Sequence, residues 1–134
     1  MGITVSCNCW DGAVGALLRW RLRLAEAALG RALFLSDLFD INDLAIFRNT
    51  QVAVELLAKF PAVTTHVLLH DGDIPCNVQR KCARELETLA GRIPESDIGH
   101  GHIAYHGGHK AVTLKFAKGL RKAHKLKRNV VFTS

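Results

Sequence analysis

No apolar run in the sequence approaches the roughly 20 residues that a membrane helix needs, and the first residues carry neither the basic region nor the apolar core of a secretory signal. A soluble, cytoplasmic protein is expected. Cysteine is scarce. Cys7, Cys9, Cys76 and Cys82 are too few and too scattered for the disulfide framework of a small secreted domain, so all four are expected to be reduced. Internal repeats and low-complexity blocks are missing, as are a Ser/His/Asp order, a nucleophile elbow and a phosphate-cradling loop. The opening Met-Gly-Ile-Thr-Val-Ser fits an acylation pattern, but the pattern is a weak one and the alternating Ile3 and Val5 give these residues a plain structural use as a strand. Acid is absent from one whole region: between Ile98 and the end there are eight Lys or Arg and no Asp or Glu.

What is present is enough for one ordinary domain. The 134 residues can bury a core unaided, and 49% apolar with 22% charged residues lies in the globular range. Leu17, Trp20, Leu24 and Ala28, with the adjoining Leu18, Leu22, Ala25 and Leu29, predict a helix from about Ala13 to Leu29 that Gly30 ends. The segment 31–49 reads as one or two short helices. A helix from Gln51 to Phe60 is capped by Asn49 or Thr50 and stopped by Pro61. Residues 63–70 are compatible with strand or helix. Asp73 as cap, Pro75 in the first turn and Gly91 at the exit predict a helix with Val78, Cys82, Leu86 and Leu89 inward. A long connection follows, then a helix from about His109 to Leu126 and a closing strand at 129–133 that should pair with residues 3–6. The expected fold is a single α+β domain over residues 1–134, mostly α-helical, with a short antiparallel pairing of N- and C-terminal strands.

The final helix carries the clearest functional signal. At 100° per residue, Val112, Phe116, Gly119, Leu120, Ala123 and Leu126 form a core stripe, and Lys110, Lys115, Lys118, Arg121, Lys122 and Lys125 gather opposite. The first 97 residues hold ten bases against twelve acids, so the formal charge of +6 belongs to the last segment. A solvated face usually mixes both signs. Six bases without an acid repel one another unless a polyanion or an acidic protein lies against them, and nucleic-acid phosphates are the first such partner to consider. The face lacks aromatics, so single-strand stacking is not indicated.

Two other constellations compete. His100, His102, His106 and His109 lie within ten residues and fit zinc by ligand type, with Cys7 and Cys9 as further donors. Their spacing matches no zinc-finger or metalloprotease pattern, and the interleaved glycines read equally as a supple lead-in to the last helix. His70, Asp71 and Asp73 could converge as acid, base or metal ligands in a turn, against which Asp-Gly is ordinary turn chemistry. His66 and His70 would share a helix face if that segment were helical. Cys82 reads as a small apolar filler.

Three blocks in order, "WDGAVGALLRWRLRLAEAALG", "LLHDGDIPCNVQRKCARELETL" and "FAKGLRKAHKLKRNVVF", resemble a family of small uncharacterised bacterial and phage proteins. In that family an Arg-x-Arg-x-x-Leu-Ala helix precedes a Leu-Leu-x-His-Ser-Asp-x-Asp-Gly-Glu-Ile segment, a Cys-containing helix and a terminal helix ending in a short apolar strand. Arg21, Leu24 and Ala25 fit the first block. His70, Asp71, Gly72 and Ile74 fit the second, with Asp73 in place of Glu and without the Ser-Asp-x insertion. The resemblance implies the fold outline and a phage or bacterial origin. The function expected is a small non-enzymatic binding protein, an inhibitor or regulator, that engages nucleic acid or an acidic host protein through its last helix and needs no cofactor. The alternative is a zinc- or other metal-dependent hydrolase or nuclease using the histidine tract or the His-Asp-Gly-Asp turn.

Overall fold

In the computed structural model, which describes residues 2–38, 50–69 and 72–133, the alternation at the N-terminus becomes strand β1 (Gly2–Val5), with Ile3 and Val5 buried. It turns back into β2 (Trp10–Ala13), pairing Val5 with Trp10 and Gly2 with Ala13. The two-residue turn is made by Cys7 and Asn8, both left-handed (φ 58° and 63°), and is closed by the Cys9 N–H on the Ser6 carbonyl at 3.3 Å. Two successive positive φ values match the right-handed twist of a hairpin, although a cysteine there gives up the freedom that glycine would bring. On the other side of β1 lies β3 (Phe132–Thr133), giving the order β2-β1-β3. The expected antiparallel pairing of the two chain ends is therefore present. The second strand is not what the turn-forming Asn-Cys-Trp-Asp-Gly stretch predicts; burial of Trp10 against Trp20, with ring centroids 5.5 Å apart, overrides local propensity.

Helix α1 (Val14–Leu29) buries the stripe Leu17, Trp20, Leu24 and Ala28 together with Leu18 and Ala25, leaves Leu22 and Leu29 partly buried at its edge, and ends at Gly30, whose φ of 70° lets its N–H reach the Glu26 carbonyl. Arg21 is buried with it, its guanidinium 6.0 Å from the Phe132 ring centroid. A short α2 (Leu35–Leu38) follows, then α3 (Thr50–Lys59). Pro61 does end α3, but it also opens a new helix: α4 (Pro61–Val63) runs directly into a wide π-helical turn, Thr64–Leu68. Residues 63–68, compatible in sequence with strand or helix, are thus helical. Proline fits because the first helical N–H has no partner to lose, and the Glu85 carboxylate accepts from the Ala62 and Val63 N–H groups at 3.2 and 2.9 Å.

Helix α5 (Cys76–Gly91) buries Gln79, Cys82, Ala83, Leu86, Leu89 and Ala90. Two details correct the sequence reading. Pro75 rather than Asp73 occupies the cap, with no side-chain cap hydrogen bond, because the chain before it is held elsewhere: Ile74 pairs with Val130, and Gln79 donates to the Ile74 and Arg128 carbonyls at 3.0 and 2.6 Å. Val78 is only half buried, its expected place inward being taken by Gln79. The connection then contains a short α6 (Gly101–Tyr105).

The last helix, α7 (His109–Lys125), packs antiparallel against α5. Phe116 and Leu120 are fully buried, each contributing about 1.5–3 kcal/mol. Phe116 stacks on Trp20 at 5.0 Å, and the Trp20 indole N–H donates to Thr113 Oγ1 at 2.9 Å. The helix closes without glycine. Lys127 adopts φ 56°, the Lys127 N–H bonds the His124 carbonyl and the Arg128 N–H bonds the Ala123 carbonyl, the paired pattern of a Schellman motif. Leu126, expected in the core stripe, lies at that cap and is half exposed.

Candidate functional site

The outer surface of α7 is built by what packs beneath and beside it. Gly119 sits where the β1–β2 turn docks: a Cβ there would meet Cys9 Sγ and lie 2.9 Å from the Cys7 carbonyl oxygen. A glycine in mid-helix costs about 1 kcal/mol relative to alanine; here it lets the hairpin lie directly against the helix. The turn becomes one wall of an open groove of about 850 Å³, lined by Cys7, Asn8, Ala111, Leu114, Gly119 and the bases Lys115, Lys118, Arg121, Lys122 and Lys125. The groove brings together five of the six bases read from the sequence. Lys110, half buried in the first turn, is not among its lining residues.

The five are not equivalent. Arg121 makes a bidentate pair with Glu87 of α5, Nε to Oε2 at 2.9 Å and Nη2 to Oε1 at 2.6 Å. Each charge stabilises the other: the Glu87 carboxyl is held below its ordinary pKa by that hydrogen bond, and Arg121 is raised by it. Lys115, Lys118, Lys122 and Lys125 have no carboxylate partner among the described residues. Lysines three and four apart on one helix repel by roughly 0.2–0.5 kcal/mol a pair. The helix dipole relieves this only in the last turn, where Lys122 and Lys125 lie. The turn and Gly119 were missed by sequence reasoning as parts of this site; the available signal was an isolated glycine inside a strong helical pattern.

The histidine tract is arranged differently. His102 Nε2 lies 2.5 Å from the Asp11 carbonyl oxygen, its ring against Trp10 (4.9 Å) and His106 (4.3 Å). Gly12 is needed there, because a Cβ would come within 2.6 Å of the imidazole. His106 is exposed, and the partial desolvation of its ring, with the neighbouring His102 and Lys115, lowers its pKa against the opposing pull of Asp11. His109 is buried in the first turn of α7 with Nε2 3.9 Å from Asp97, and burial lowers its pKa against the pull of that carboxylate. His100 is exposed before α6.

Among the described residues no group of three or more His, Cys, Asp or Glu side chains is placed to hold a metal ion. Cys9, offered as a further donor, is buried, and its thiol is pushed up to about 12, chiefly by desolvation. Of the His-Asp-Gly-Asp turn, His70 and Asp71 lie outside the described residues, and Asp73 is exposed. Of the His66 and His70 pair, His66 lies in the π-helical turn and His70 likewise falls outside them. Among the described residues no helix is long and apolar enough to cross a membrane. Compared with protein-family models, with curated proteins and with solved structures, the chain matches none.

Proposed function

We propose that this is a small non-enzymatic binding protein that engages nucleic acid through the α7 groove, as a regulator or inhibitor of phage or bacterial origin acting in the cytoplasm. The observation that carries the reading is the row Lys115, Lys118, Lys122 and Lys125, four bases lining one groove with no carboxylate to neutralise them among the described residues. Nucleic acid is preferred over an acidic protein because Leu114 and Ala111 are the only apolar side chains besides Cys7 along the groove. Protein interfaces draw their energy from buried aromatic and arginine anchors, and here the one arginine is already held by Glu87.

Four phosphate contacts give a slope of about −3.6 in log affinity against log salt, or roughly a 100-fold loss between 50 and 200 mM. Titration of a labelled oligonucleotide at several salt concentrations measures it. Lys118→Glu, Lys122→Glu and Lys125→Glu together should abolish binding. Undiminished binding by that variant overturns the reading, whereas failure of nucleic acid to bind at all, with capture of an acidic protein that those changes abolish, transfers the groove to the second kind of partner.

A further inference from the structure

The basic surface does not stop at α7. Helices α5 and α7 run antiparallel, since Cys76 at the start of α5 lies 3.7 Å from His124 near the end of α7 and Gln79 reaches the Arg128 carbonyl. Further along, Glu87 and Arg121 meet across the seam on the solvent side. Arg84 and Arg80 stand three and seven residues before Glu87, so helical geometry puts them on its exposed stripe. Both are exposed and neither has a carboxylate partner among the described residues.

Outward from the seam, α7 presents Lys125, Lys118, Lys122 and Lys115, and α5 presents Arg80 and then Arg84. We infer that these two faces form one basic plate that takes duplex nucleic acid, the α7 lysines contacting phosphates of one strand and Arg80 and Arg84 those of the other. This rests on the nucleic-acid reading of α7 and adds the form of the ligand. Packed helices have axes about 8–10 Å apart, which sets the two rows apart by a distance on the order of the 12 Å width of a major groove.

The position of Glu87 favours two strands over one. A single strand tracking the middle of the plate would bring its phosphates onto that carboxylate, whereas a duplex straddling the seam leaves Glu87 facing the space between strands. A single strand would also want aromatic platforms. The groove lining contains none, Trp10 and Trp20 are buried, and the exposed Tyr105 belongs to α6.

The test is fluorescence anisotropy with a 20-base-pair DNA duplex and with one of its strands alone, on the full chain, with thermal melting as the folding control. Arg80→Glu/Arg84→Glu is expected to weaken duplex binding at least tenfold and single-strand binding by less than twofold. The milder Arg80→Gln/Arg84→Gln should make the duplex salt slope less negative by about 2, the equivalent of two phosphate contacts. Duplex binding and slope unchanged in both variants, or equal losses on both probes, overturn the plate while leaving the α7 reading intact. Wild-type protein that binds neither probe overturns both.

Discussion

The histidine tract and the last helix meet at His109, and both carry a dense row of basic side chains, yet they use them in opposite ways. His102 is fixed between the Asp11 carbonyl and the Trp10 ring, and His109 is buried beside Asp97. In each ring Nε2 is turned to a partner within the chain and Nδ1 is buried, so neither imidazole is open to solvent as the lysines are. One helix later, four lysines line an open groove with no carboxylate against them among the described residues. A cluster of chemically capable residues is therefore no guide to function until its partners are known: side chains already engaged within the chain are unavailable to a ligand, and unengaged charge is what a ligand would find.

The strongest way to break this contrast is to disturb the groove without touching its charge. Gly119→Val drives a branched side chain into Cys9 and the Cys7 carbonyl. Overpacking of that kind costs about 1–3 kcal/mol, read as a lower urea midpoint. The hairpin wall should shift with it, so that oligonucleotide affinity falls while the salt slope, which counts lysines, stays as in the wild type. A valine variant as stable as the parent would mean that the hairpin does not bear on α7 as described.

The histidine half of the comparison is sharpened by pH. Because the folded state holds His109 below its ordinary pKa, the unfolded chain takes up its proton first as the solution is acidified. Stability from this group is complete above the unfolded value of about 6.5 and is lost as pH falls from there through the folded value, by at most about 1.4 kcal/mol per pH unit. His109→Gln should flatten that part of the stability profile between pH 7 and 5, measured by denaturant titration. If the slope is unchanged by the substitution, His109 is not the buried neutral group described.

Much of this was legible in sequence. The amphipathic period of 14–29, 76–91 and 109–125 located three helices, and the short β-branched chain ends located their own pairing. The basic face followed from the same period. What stayed illegible depends on residues far apart in the chain. No local pattern announces that Glu87 will neutralise Arg121, 34 residues away, or that Trp10 will be drawn into a strand by Trp20. Asp73 looked like a cap because its local chemistry suits one, and lost the position because Ile74 bridges to Val130 and fixes the chain ahead of the helix. Lys127, likewise, closes α7 in a conformation that sequence assigns to glycine.

The smallest expected effect tests the one place where the plate's charge is already answered. Glu87 and Arg121 are both well exposed, with side chains 39% and 42% accessible. An exposed pair of this kind contributes no more than about 1 kcal/mol after solvent screening. Its sign is fixed: the folded carboxyl is held below its ordinary value, so the contribution is present above the unfolded pKa near 4.3 and disappears as pH falls through the folded one. Glu87→Gln should therefore lower stability slightly at pH 7 and not at all near pH 3. On binding it should act in the opposite direction. Removing the carboxylate releases Arg121 to join the lysines, so duplex affinity at low salt should rise and the salt slope should steepen by up to about 1. An affinity unchanged or reduced by the substitution would mean that Arg121 is not part of the binding face, and that the groove acts through its lysines alone.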